Sequence, residues 1–176
     1  MRIHCIFEEI KDTLYATAYD DTKKNILDVL QEIWSNAQWL DEFFELNKSD
    51  LQSGFFGDIS IEEAVEKTID DADDLFIKIK GLNGGHLPEL FKPLDDREYK
   101  RKDFQKQKLS GEGVKSWLRI YAVHFDDKYV ITGGAIKLTH QMEARKHTLN
   151  ELQKLQMVRD ALKLNEVDDL FVYLDI

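Results

Sequence analysis

At 176 residues, with 43% apolar side chains and ten Phe, six Tyr and three Trp, the chain can bury a substantial core, which excludes a disordered polypeptide. A single cysteine, Cys5, excludes an internal disulfide framework and fits a reducing compartment. The net charge of −10 is unevenly spread: residues 1–99 carry the negative excess, whereas residues 100–146 hold eleven Lys or Arg against five Asp or Glu. Such a basic stretch suits a phosphate-bearing partner, although the two halves of the chain can equally neutralise each other.

The apolar run in MRIHCIFEEI is too short for a signal peptide, and nowhere do eighteen uncharged apolar residues follow one another. A soluble, cytoplasmic protein without a membrane partner is therefore expected. Residues 2–7 and 13–18 alternate as two short strands of an opening hairpin, with Cys5 as apolar packing. From Asp21 the period becomes helical. Ile26, Val29, Leu30, Ile33 and Trp34, then Trp39, Leu40, Phe43 and Phe44, predict two helices that meet near residues 35–38. SGFFGDIS interrupts them. Ser60, with Glu63 three residues on, is a capping box that opens a helix to about Lys80, whose many acidic residues read as a solvated face.

Gly81 to Asp96 contains three glycines and both prolines and is the best linker candidate, dividing an acidic, mainly helical part (residues 1–95) from an α+β part (residues 96–176). No Lys-Ser/Thr pair follows Gly81, Gly84 and Gly85, so they form no P-loop. Glu98 to Gly113 is polar and basic and reads as a loop or a marginal helix. Trp117–His124 and Lys128–Thr132 are clear strands around an Asp126-Asp127 turn. Alternation places Leu118, Ile120, Ala122, Tyr129 and Ile131 on an apolar face. Arg119, Tyr121 and Thr132 then share an exposed polar one, with Gly134 opposite Arg119. Gly133-Gly134 predicts a bulge or bend, and Ala135–Leu138 a continuing or third strand. Thr148 with Glu151 forms a second capping box, for a helix from Leu149 to about Leu164. The expected fold is α+β, an antiparallel sheet packed against several helices.

SWLRIYAVHFDDKYVITGGAIKLTHQ, followed by a helix, resembles the C-terminal half of the RelE/ParE superfamily of bacterial toxins, particularly its HigB-like branch. In that pattern a strand of the form LR-V-Y, a turn, a second strand, a small-residue bend and a K-K-T stretch precede a helix. The likeness spans Ser116 to Leu162, under a third of the chain. Leu138 stands in place of a second lysine, THQMEARKHT replaces a shorter proline-containing loop, and the first hundred residues have no counterpart. The resemblance implies a RelE-like sheet and helix at the C-terminal end. It also implies a toxin-type, metal-independent endoribonuclease acting on RNA or ribosome-bound mRNA, with a helix-turn-helix antitoxin as partner and no cofactor. It sets Arg119 at the family's strand arginine and Lys137 with Thr139 in its lysine-threonine stretch.

Attack of an RNA 2′-hydroxyl on the adjacent phosphate needs proton transfer and stabilisation of added negative charge. Arg119 and Lys137 suit the charge, His140 or His147 the proton transfer, and Tyr121 a hydrogen bond or a stacking surface. The expected catalytic set is Arg119, Lys137, His140 and Tyr121, and the expected RNA contacts are Lys115, Arg145, Lys146 and His147. His4 and His124 alternate into apolar strands as structural residues, and no acid or cysteine is spaced near the histidines to make a metal site. The other reading is a non-enzymatic binding or regulatory protein, of a mobile element or another cytoplasmic family, which uses the same sheet to dock a protein partner.

Overall fold

The computed structural model of the protein describes residues 1–81, 87–101, 103–111 and 116–164. Gly84, Gly85 and Lys115 lie outside them. The fold is α+β. An opening hairpin, β1 (Ile3–Ile10) and β2 (Leu14–Tyr19), leads into α1 (Ile26–Trp34), α2 (Ala37–Leu46), α3 (Lys48–Leu51) and α4 (Ile61–Lys80). After α5 (Leu87–Leu90) come β3 (Lys92–Pro93), β4 (Gln105–Ser110), β5 (Leu118–Phe125), β6 (Lys128–Ile136) and α6 (Lys146–Leu164). All six strands join one sheet in the order β1-β2-β6-β5-β4-β3. The sheet is mixed rather than antiparallel, because β2 pairs with β6 in parallel. A helical excursion separates those two strands in the chain, and a crossover of that kind permits parallel pairing.

Local chemistry sets the helix starts. Asn25 Oδ1 accepts from the Leu27 N–H at 2.9 Å, and Asn36 Oδ1 from the Trp39 N–H at 3.0 Å. The capping box at Ser60 and Glu63 is formed in both directions. Leu27, Leu30, Trp34, Leu40, Phe44, Leu75 and Phe76 cover one face of the sheet, against Leu14, Leu118, Ile120 and Ile131. Trp117 is wedged into this layer, and its indole N–H donates to Thr68 Oγ1 of α4 at 2.9 Å. Each such large buried side chain contributes about 1.5–3 kcal/mol of burial free energy.

The other face, expected to be open, is covered. Leu155, Val158 and Leu162 of α6 pack on Tyr121, Val123, Val130 and Ala135, leaving Tyr121 only 1% exposed and Thr132 fully buried. The sheet is thus a middle layer between α1, α2 and α4 on one side and α6 on the other. Helix α6 begins at Lys146, one turn earlier than predicted. Thr148 therefore lies within its first turn, where Oγ1 donates to the carbonyls of Met142 and Arg145, so no second capping box forms. Glu151 instead turns inward, is 5% exposed and pairs with Lys154 at 2.7 Å.

Gly133 and Gly134 do bend β6, with a consequence for register. Asp126 and Asp127 adopt positive φ (46° and 60°), which makes a tight hairpin turn, and Val123 faces Val130 as predicted. The register then shifts between Tyr121 and Ala122, so that Tyr121 faces Gly133 and Arg119 faces Ala135 rather than Gly134. An extra residue in one strand reverses inside and outside for everything beyond it. Val130 and Ala135, five residues apart, accordingly point to the same α6-covered face. The glycines also admit neighbours. A Cβ on Gly133 would overlap the Glu151 carboxylate, and one on Gly134 would lie 2.9 Å from the Arg119 carbonyl oxygen and from Leu30 and Trp34 of α1. Strand and helices approach this closely only where side chains are missing.

Two consequences are measurable. Gly134→Ala overpacks α1 against β6 and is expected to lower unfolding free energy by about 1–3 kcal/mol in a denaturant titration. Burial raises the Glu151 carboxyl from its ordinary 4.5 to about 6, with Lys154 opposing the shift. The folded state therefore holds this proton more tightly than the unfolded chain. The stabilisation is complete below pH 4.5 and is lost as pH rises to about 6. In Glu151→Gln this fall, on the order of 2 kcal/mol, should vanish from the pH dependence relative to wild type.

Candidate anion-binding cleft

On the α6 side of the sheet, β4 and the adjoining start of β5 present polar side chains. Ser110 pairs with Arg119 and Lys108 with Tyr121, while Lys106 pairs with Val123 one step further along. Lys137 follows β6, and its N–H donates to the Trp117 carbonyl at 2.8 Å, which prolongs the ladder past Ile136. Because of the shift at Gly133, Lys137 comes to the same side as Arg119 and Tyr121. With Leu152, Gln156 and Arg159 of α6, the 94–101 segment and the 140–143 loop, these residues line a cleft of about 640 Å³.

Four of the cations here have neutral partners, whereas Arg97, Arg101 and Arg159 on the far wall pair with Asp95 or Glu98. Arg119 Nη1 donates to the carbonyls of Ser116 (2.8 Å) and Leu118 (2.7 Å), Lys108 Nζ to Leu94 O (2.9 Å), Lys106 Nζ to Gln156 Oε1 (3.0 Å) and Lys137 Nζ to His140 O (2.7 Å). Among the described residues none of the four makes an ion pair with a carboxylate. Burial lowers the pKa of Arg119, Lys106 and Lys137, and Lys137 is lowered further by Arg119 and Lys108 beside it. Burial raises the Tyr121 phenol far above its ordinary value, so it stays protonated, and its hydroxyl is buried without a hydrogen-bond partner among the described residues. A row of partly desolvated cations around an idle O–H donor is arranged to receive an anion rich in oxygen acceptors.

The four residues expected to be catalytic, Arg119, Tyr121, Lys137 and His140, are therefore brought together in one cleft. His140 is exposed, and its ring meets the edge of Phe55 at a centroid distance of 5.2 Å. With Arg119 and Lys137 it also borders a neighbouring cavity of about 340 Å³ beside Phe55 and Phe56. Three of the four residues expected to contact RNA, Arg145, Lys146 and His147, do not line this cleft. The Arg145 guanidinium forms a two-pronged pair with Asp50, at 2.6 and 2.5 Å, that ties the loop before α6 to α3. His147 Nε2 is 3.0 Å from Ile136 O and its ring abuts Phe43, a structural position. Lys146 is an exposed residue at the start of α6 and lines no part of the cleft. Lys115 is outside the described residues.

Sequence reasoning missed Lys106, Lys108 and Arg159, all on the cleft wall. The signal was present in QKQKLS, whose period of two sets Lys106, Lys108 and Ser110 on one face and Gln107 and Leu109 on the other. Gln and Lys are poor markers of a strand, and the segment reads as a loop. Among the described residues no cluster of His, Cys, Asp and Glu is placed to hold a metal ion, and no helix is long and apolar enough to cross a membrane. No protein-family model matches the sequence, and no curated protein or solved structure matches it either.

Anion binding should show as stability. Inorganic phosphate is expected to raise the melting temperature of wild type, by mass action on the folded state. Tyr121→Phe should leave the anion-free protein as stable as wild type or up to about 1 kcal/mol more stable, since it removes an unpartnered buried hydroxyl. The same variant should reduce the phosphate-induced rise in a thermal scan.

Proposed function

We propose that the protein is a toxin-type, metal-independent RNA endonuclease of a toxin-antitoxin system, acting at the cleft between the sheet and α6. The observation that carries the reading is the set of Lys108, Arg119 and Lys137, which have no carboxylate partner among the described residues, around the protonated hydroxyl of Tyr121. The order of strand, two-residue turn, strand with a glycine bend, Lys137-Leu138-Thr139 and helix supports it through the likeness of Ser116–Leu162 to the RelE/ParE superfamily.

The chemistry is a transesterification. The RNA 2′-oxygen forms a bond to the adjacent phosphorus as its proton leaves to a base, and the P–O5′ bond breaks as the 5′-oxygen takes up a proton. The products are a 2′,3′-cyclic phosphate and a 5′-hydroxyl, so protons and electrons balance without a co-reactant. Arg119 and Lys137 offset the charge that builds on the non-bridging oxygens, and Tyr121 donates a hydrogen bond to one of them. The His140 imidazole exchanges the proton, because His147 is committed to Ile136 O and Phe43. Ribosome-bound mRNA is the proposed substrate and a helix-turn-helix antitoxin the proposed inhibitor.

A second reading, an RNA- or protein-binding regulator without chemistry, is favoured by one observation. Among the described residues the cleft holds a single imidazole, so no acid–base pair of histidines is at hand. One experiment separates the two. Wild type expressed in bacteria should arrest growth, and the purified protein in EDTA should leave cyclic-phosphate ends on single-stranded or translated RNA. Arg119→Ala and Lys137→Ala should each cut the rate by about 10²–10³-fold. Absence of both growth arrest and cleavage by wild type would remove the nuclease reading.

A further inference from the structure

The basic row does not stop at Tyr121. It runs on along β4 to a second cluster, where Lys106, Arg159 and Arg101 face Glu98 and Asp160. Arg159 is 9% exposed and lines the cleft. Its Nη1 donates to Glu98 Oε1 at 3.2 Å and its Nη2 to Gln156 Oε1 at 2.6 Å, while its Nε–H is buried without a partner among the described residues. Lys106 Nζ converges on the same Gln156 oxygen at 3.0 Å. Two cations thus share one neutral amide oxygen, where a phosphate oxygen would bind both more strongly. Glu98 is already divided between Arg159, Arg101 (3.7 Å) and the Lys106 N–H (3.0 Å), and Asp160 accepts from Gln156 Nε2 at 2.7 and 2.8 Å. Asp95, which also acts on Lys106, is paired with Arg97, so four cations against three carboxylates leave the cluster positive.

We infer that Lys106, Arg159 and Arg101 form a second phosphate subsite, which holds the phosphodiester next to the one that reacts at Arg119, Lys137 and Tyr121. Lys106 and Lys108 lie on one face of β4, two residues and therefore about 6.7 Å apart along the strand. That is close to the spacing of successive phosphates in an extended nucleic-acid strand, so a linear polyanion matches the row better than a single phosphate ion does. The subsite makes the protein a reader of chain length: a substrate needs a charged linkage flanking the scissile one. Lys106 acts here on binding and alignment and does not touch the reacting atoms. The inference rests on the nuclease reading for the reacting phosphate, whereas the subsite itself binds whether or not cleavage occurs.

The test uses the full chain and a DNA oligonucleotide with one ribonucleotide, which fixes the scissile phosphate. Each flanking linkage is replaced in turn by a neutral methylphosphonate. With wild type, neutralising one of the two flanks should lower kcat/KM about tenfold, the scale of one lost charge-assisted hydrogen bond. Lys106→Gln should be slow on the charged substrate and indifferent to that same replacement. Wild type that cleaves equally well with either flank neutral overturns the subsite, as do losses that multiply in Lys106→Gln. If nothing is cleaved, the nuclease reading fails, and binding of an all-deoxy single strand by fluorescence anisotropy still decides the subsite. Lys106→Gln should lower the slope of log K against log salt by about 0.7, one phosphate's worth, and Arg101→Gln should lower it in the same direction. Unchanged slopes in both variants overturn it.

Discussion

A single extra residue in β6 determines where the chemistry of this protein can sit. Side chains along a strand alternate between faces, and the shift opposite Tyr121 and Ala122 reverses that alternation for all that follows. Without it Lys137 would fall on the side of α1 and Trp34, apart from Arg119. With it, Lys137, Arg119 and Tyr121 share a face, and the loop that carries His140 folds over the same edge. The glycines that permit the bend have a second task. They let Glu151 of α6 come down on one side and Trp34 of α1 on the other, so the strand is gripped from both faces where it is most irregular.

That arrangement is costly to the folded protein in a directed way. Cations drawn out of water without carboxylates to meet them destabilise the fold, as does a buried phenolic hydroxyl with no partner. Two apolar layers offset this. Trp117, Phe44 and Trp34 anchor the larger one, and Leu155, Val158 and Leu162 seat α6 on the other. Around the cleft the strong ion pairs are spent on holding the walls. Arg145 fastens the loop before α6 to α3 through Asp50, and Glu98 joins α6 to the 94–101 segment through Arg159. Two of the buried side-chain groups without a hydrogen-bond partner among the described residues, the Tyr121 hydroxyl and the Arg159 Nε–H, belong to residues that line the cleft.

The division of labour between charges also accounts for the acidic first half. The excess of Asp and Glu on α4 lies across the sheet from the cleft, because α4 packs on the Trp117 side while the basic row faces α6. The two halves meet in a few ion pairs, Glu98 with Arg159 and Arg101 on the cleft wall and Asp50 with Arg145 beside it, while Lys106, Lys108, Arg119 and Lys137 have no carboxylate partner among the described residues.

Much of this was written in local patterns. The opening hairpin, the helical spacing of α1 and α2, the capping box of α4 and the Asp126-Asp127 hairpin follow from spacing and capping chemistry within a few residues, and so could be read from the sequence. The grouping of Arg119, Tyr121, Lys137 and His140 is expected from the family resemblance and the chemistry of the side chains, whereas simple strand alternation would have set Lys137 on the face away from Arg119. The parallel pairing of β2 with β6, the strand identity of QKQKLS and the inward turn of Glu151 lay beyond that reach. Each depends on a partner far away in the chain: β4 is a strand because β5 offers it a ladder, and Glu151 is buried because Gly133 leaves it room. The direction of Arg145 and His147 was likewise set by Asp50, Ile136 and Phe43. Sequence determined which charges and strands exist; only packing of both helical layers on a bulged strand decided which of those charges would face a common cleft, because facing depends on register and register on contacts that no local pattern contains.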